Sequence, residues 1–233
     1  MVLAVDFSAV DKYALGAPKV KTKEDMKELA TYLTAPYHND VEKARSIYAW
    51  VMYNVDYDTY KAKLKEDPRL TERLEKLSSE PIIKTRVGTS EDIANLYQEL
   101  SAMAGLNTQT VSGWIKVDET LKKKKPRRHY WLAIKIANSW HFMDPAWEIE
   151  NVERSSFYDV QGNGRYESEI KKRLRNKKTY EPRRSRRVGS WFMIRSADMI
   201  RTHFPELEEW QLHENKITKD EFFSAKSNRK KQK

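Results

Sequence analysis

The amino-acid sequence predicts an α+β fold in which a helical layer packs on an antiparallel β-sheet, with one central helix buried between them. Two patterns carry this expectation: apolar residues recur at helical spacing in segments between residues 39 and 104, and strand-like segments joined by turns follow. Composition allows it. Of 233 residues, 39% are hydrophobic, with 7 Trp, 12 Tyr and 7 Phe, enough to bury a substantial core.

The stretch "NDVEKARSIYAWVMYNV" (39–55) places Val41, Ala44, Ile47, Tyr48, Val51, Met52 and Val55 on one helical face, with Asn39 and Glu42 spaced as a capping pair. After "DYDTY" comes a polar connection, in which Asp67-Pro68 opens a short helix through Leu70, Leu74 and Leu77 that ends at Ser78, Ser79 and Pro81. The helix beginning near Ser90 carries Ile93, Ala94, Leu96, Tyr97, Leu100 and Met103 and stops at Gly105. Strands are expected at "TQTVSGWIKV" (108–117), "HYWLAIKI" (129–136) and "SWHFMDP" (139–145), the last two joined through Ala137-Asn138. The segment "RSADMIRTHFPELEEWQL" (195–212) reads as a helix ended before Pro205, then an aromatic-rich docking segment. Residues 1–38 are expected to be an extension packing on a domain of 39–223, with 224–233 a disordered basic tail.

No apolar run approaches the roughly 20 residues that cross a bilayer, and the opening "MVLAVDFS" is too short in apolar residues for a signal peptide. The compartment stays open, export of a longer precursor included. The absence of cysteine excludes disulfides, thiolate metal sites and thiol catalysis within this chain. The 5 His lack metal-ligand spacing, and the tryptophans read as core or cleft walls, so neither metal nor cofactor is expected.

The net charge of +10 is uneven. Residues 1–120 hold 16 basic against 19 acidic residues, whereas 121–190 hold 19 against 8. Within "DETLKKKKPRR" (118–128), Lys122, Lys123, Lys124, Lys125, Arg127 and Arg128 form a basic cluster, and 171–187 form another. A solvated hairpin tip is the ordinary reading. Binding of a polyanion or an acidic partner is the sharper one, because clustered cations attract polyanions in a salt-dependent manner.

Ser90 at a helix start, His129 opening a strand and Asp144 closing the next are the residue types of a nucleophile, a general base and an orienting acid. Each also has an ordinary role. Ser90 suits a helix cap, with Thr89 and Asp92 spaced as a second capping pair; His129 suits a strand edge; Asp144 before Pro145 suits a turn.

Taken together, "GTSEDIANLYQELSAMAGLNTQTVSGW" and "HYWLAIKIANSWHFMDPAW" resemble the transglutaminase-like superfamily, itself similar to papain-like cysteine peptidases. The pattern is a Gly-x-Cys at a helix start, a His-x-Trp strand, and a Trp followed closely by Asp-Pro-x-Trp. The flanks "EKARSIYAWVMYNVDYD" and "HFPELEEWQL" resemble the branch that includes the kyphoscoliosis peptidase and related cytokinesis proteins. The resemblance implies a papain-like core with the nucleophile position at Ser90, the general base at His129 and the orienting acid at Asp144. It also implies protein or peptide ligands.

The departure falls on the nucleophile, where the family has Cys and this chain has Ser. A thiol of pKa about 8.5 is readily held as thiolate by an imidazole and a helix N-terminus, whereas a hydroxyl must lose its proton during attack. The expectation is a catalytically impaired member that binds protein or peptide partners. The alternatives are an acyl-transfer enzyme of transglutaminase or peptidase type bearing a Cys→Ser change or using Ser90 itself, and polyanion binding through the basic loops.

Overall fold

The computed structural model describes residues 5–66, 69, 81–116, 126–150 and 188–224. Its helices are α1 (Ser8–Ala14), α2 (Asp25–Thr34), α3 (Asp40–Asn54), α4 (Thr59–Glu66), α5 (Ile82–Thr85), α6 (Ser90–Met103), α7 (145–150), α8 (Ser196–Met199) and α9 (Lys219–Ser224). Its strands are β1 (Asp56–Tyr57), β2 (Val87–Gly88), β3 (Asn107–Ile115), β4 (Arg127–Ile136), β5 (Ser139–Met143) and β6 (His203–Pro205).

Helix α3 starts at the predicted cap, where Asn39 Oδ1 accepts the Glu42 N–H at 2.9 Å. It is buried on more than the predicted face, since Trp50 and Tyr53 are enclosed as well as Ile47, Tyr48 and Val51. The reason is its position: α1, α2 and α6 all pack around it. Met26, Leu29, Ala30 and Leu33 of α2 belong to the same core, so the N-terminal segment is integral to the packing.

The main sheet has the order β5-β4-β3-β6 and is antiparallel throughout. Alternation along β4 separates two cores. Leu132 and Ile134 face the helical layer with Tyr97 and Leu100 of α6, while Trp131 and Ala133 face a smaller cluster with Val111, Phe142 and Met199. A short parallel pair, β1 with β2, joins the end of α3 to the start of α6. The strands are shifted from their expected bounds by a few residues, and the β4–β5 turn runs through Ala137 in the left-handed region (φ 52°).

Two segments differ from the sequence reading. The stretch 59–66, expected as a polar connection, is helix α4; its apolar content is low, and Leu64 is its one buried residue. The helix expected before Pro205 is confined to Ser196–Met199, and residues 203–205 instead form an edge strand on β3. Edge placement suits Pro205, which has no N–H to donate. Gly113 makes the approach feasible, because a Cβ there would lie 2.1 Å from the Phe204 carbonyl oxygen and 2.6 Å from Trp131 Cη2. Most of the expected helix after Asp67-Pro68, the basic runs 122–125 and 171–187, and the tail from 225 onward lie outside the described residues. Among the described residues, no helix is long and apolar enough to cross a membrane.

Candidate active site

Three local devices fix the start of α6. Gly88 is packed so tightly that a Cβ would meet Ile82 Cδ1 at 2.6 Å and Asp92 Cβ at 2.7 Å. Thr89 is extended (φ −79°, ψ 177°) and occupies the cap position. The Asp92 carboxylate accepts its N–H at 2.8 Å and its hydroxyl at 2.9 Å, and Lys61 Nζ lies 2.9 Å away. Burial acts to raise the Asp92 pKa, but the Thr89 N–H and Lys61 outweigh it and hold the group below its ordinary value. The cap is therefore Thr89 and not Ser90. Ser90 becomes the first helical residue, 5% exposed, and its hydroxyl makes no hydrogen bond among the described residues.

Topology sets Ser90 and His129 at the same end of the sheet. The three residues between Met103 and Asn107 turn the chain back so that β3 runs along α6, and Gln98 Oε1 accepts from the Thr110 N–H (3.2 Å) and hydroxyl (2.6 Å). Ser90 lies about 12 Å back along the helix from Gln98 at 1.5 Å per residue. The same rise forward from Thr110, at about 3.3 Å per residue, reaches Gly113 or Trp114. Gly113 is the register partner of His129.

His129 Nε2 and His203 Nε2 both hydrogen-bond to Asp144 Oδ2, at 2.7 and 2.9 Å. Asp144 Oδ1 accepts the Trp147 N–H at 2.8 Å, so the same carboxylate caps α7, with Pro145 in the first turn. All three ionisable side chains are fully buried. Burial acts to raise the Asp144 pKa, yet the two imidazoles outweigh it and hold the carboxyl well below the usual carboxylate range. Burial likewise pushes the His203 pKa down against the pull of Asp144. The rings of Trp131, Trp147 and Trp191 lie 5.2, 5.4 and 5.2 Å from that of His203.

The two histidines differ at their second nitrogens. His203 Nδ1 lies 2.7 Å from the Thr202 hydroxyl, whereas His129 Nδ1 is buried without a hydrogen-bond partner. His129 therefore retains one nitrogen for a reacting group, and His203 does not. The structure thus joins predicted His129 to predicted Asp144 and adds His203, and among the described residues no hydrogen bond links Ser90 to either. Sequence reasoning missed His203 because it assigned position 203 to a helix.

The ligand atoms of His129, Asp144 and His203 lie within 4.8 Å of one another, close enough to raise the question of a metal. A tetrahedral ion holding nitrogen and oxygen at about 2.0 to 2.1 Å separates its ligands by about 3.3 Å. The contacts of 2.7 and 2.9 Å to one shared oxygen are hydrogen-bond distances.

Of the basic cluster, Arg127 and Arg128 are described, and both are matched by carboxylates. Arg127 pairs with Glu150 through Nη1 at 2.6 Å and again through Nη2, and Arg128 pairs with Glu206. Lys122, Lys123, Lys124 and Lys125 lie outside the described residues.

The profile of the Transglutaminase-like superfamily matches residues 27–145, just over half of the chain. The chain is 22% identical to the human kyphoscoliosis peptidase over 213 residues, covering 90% of this chain and 28% of that protein. It is 24% identical to Hillarin of Drosophila melanogaster over 226 residues, covering 94% and 24%. The chain thus spans about a quarter of the length of these relatives. A solved structure described as a TGase is 14% identical with a TM-score of 0.39, covering 70% of this chain and 36% of that one. On the profile match, this chain belongs to the transglutaminase-like superfamily.

Proposed function

We propose that the chain carries a transglutaminase-like cleft that binds a protein or peptide ligand and has lost most of its acyl-transfer capacity at position 90. Ser90 stands at the nucleophile position, His129 is the general base and Asp144 orients it. The single observation that supports this is the hydroxyl at the start of α6, a group that stays neutral where an imidazole would ionise a thiol.

The partnerless Nδ1 of His129 favours a second reading in which Ser90 still reacts slowly. In that case Ser90 Oγ attacks the carbonyl carbon of a glutamine carboxamide, His129 Nδ1 takes the hydroxyl proton and then delivers it to the departing ammonia. An amine or water resolves the ester formed, returning a proton to Ser90 through His129. Ammonia release from a glutamine peptide, with and without an amine acceptor, separates the two readings. No release above buffer is expected, and release abolished by His129→Ala overturns the impaired reading.

A further inference from the structure

We propose that His203 is a positioning residue of the site: as a neutral Nε2–H donor it shares Asp144 Oδ2 with His129 and so holds the carboxylate that orients His129. The inference rests on the reading of His129 and Asp144 as the site's relay and deepens it.

Hydrogen-bond bookkeeping fixes the tautomer of His203. The Thr202 hydroxyl has one proton, and its nearer acceptor is His203 Nδ1 at 2.7 Å, against 3.4 Å to the Met199 carbonyl oxygen. With Nδ1 accepting, the ring proton sits on Nε2, where it meets Asp144 Oδ2 at 2.9 Å. The opposite tautomer would face a lone pair against a buried carboxylate. His203 is therefore a neutral donor with both nitrogens engaged, unable to exchange roles with His129.

A second donor on Oδ2 draws charge from the oxygen that His129 uses. With two imidazoles on Oδ2 and the Trp147 N–H on Oδ1, the carboxylate is held from turning away from His129. The fold supplies this donor at long range: β6 docks on β3 beside Gly113, the register partner of His129. The other ionisable groups around the relay do not compete for its proton. Arg127 is matched by Glu150, and Tyr48 and Tyr57 are buried phenols whose pKa values are raised, the first bonded to Glu148 at 2.5 Å.

The test uses the full chain and reads imidazole nitrogens by long-range proton–nitrogen NMR over pH 5 to 8. In the parent, His203 is expected as the neutral Nε2–H tautomer at pH 7 and above. His203→Phe removes the donor and is expected to shift the His129 Nε2–H resonance, the signature of its bond to Asp144, and His203→Gln, whose amide can still donate, is expected to restore it. An Nδ1–H tautomer at His203, or a His129 Nε2–H resonance unmoved by His203→Phe, overturns the proposal. If the Phe variant does not fold, the parent tautomer and the Gln variant still decide it. None of these readouts depends on turnover, so they stand apart from the fate of the functional reading.

Discussion

Glu148 offers the most quantitative test of how the site is held. Its buried carboxylate accepts the N–H groups of Gly189 (2.7 Å), Ser190 (3.1 Å) and Trp191 (3.1 Å), together with the Tyr48 hydroxyl at 2.5 Å. The segment it grips carries Trp191, whose carbonyl oxygen accepts the Asp144 N–H at 2.9 Å and whose ring lies against His203. In Glu148→Gln, the amide oxygen can keep Gly189 and Ser190, and the Tyr48 hydroxyl can turn to accept. The Trp191 N–H then faces another donor. One orphaned buried donor costs about 1 to 3 kcal/mol, and three surviving bonds each lose roughly 1 kcal/mol of charge assistance. Relief of carboxylate desolvation offsets part of this, leaving a net destabilisation of about 2 to 4 kcal/mol. At roughly 2 to 4 °C per kcal/mol for a chain of this size, the melting temperature should fall by about 5 to 15 °C. Urea and thermal denaturation followed by tryptophan fluorescence provide the measure. A loss under about 1 kcal/mol would refute the claim that this carboxylate anchors 189–191.

Two further outcomes are expected. Gly113→Ala drives a Cβ to within 2.1 Å of the Phe204 carbonyl oxygen, so it should destabilise the chain by about 3 kcal/mol in urea denaturation and release His203 from Asp144; parental stability would show that β6 does not lie on β3 in this way. Acid should act in two stages. His203 has a folded pKa below its ordinary 6.5, so the unfolded chain takes up its proton first, and stability should fall by up to about 1.4 kcal/mol per pH unit below pH 6.5. Asp144, depressed below 3.8, adds a further loss only as pH falls below that value. A melting temperature flat from pH 7 to 5, or an equal slope in His203→Gln, contradicts the first stage.

Local signals are legible in the sequence. Asn39 caps α3, β4 and β5 meet at the Ala137 turn, and Gly105 ends α6, because each follows from neighbouring residues. Position 90 was legible as a helix start, but the cap belonged one residue earlier, since Asp92 reaches Thr89 through both its N–H and its hydroxyl. The missed features depend on distant partners. Helix α4 has little apolar periodicity and is tied to α6 through Lys61–Asp92 and Lys65–Glu91. His203 sits in a stretch with helix-like spacing, and only pairing with β3, some ninety positions earlier in the chain, turns it into a strand and aims it at Asp144. A histidine flanked by Phe204-Pro205 was the available signal: an edge strand accommodates that proline where a helix interior does not.

The central proposal is that the hydrogen-bonded His129, Asp144 and His203 still serve position 90, where serine stands in place of the family's cysteine. Ammonia release from a glutamine peptide by Ser90→Cys, beside the parent and Ser90→Cys/His129→Ala, tests it most directly. The account predicts release by the thiol variant at least about 100-fold above the parent and lost without His129. A thiol variant no faster than the parent would contradict it.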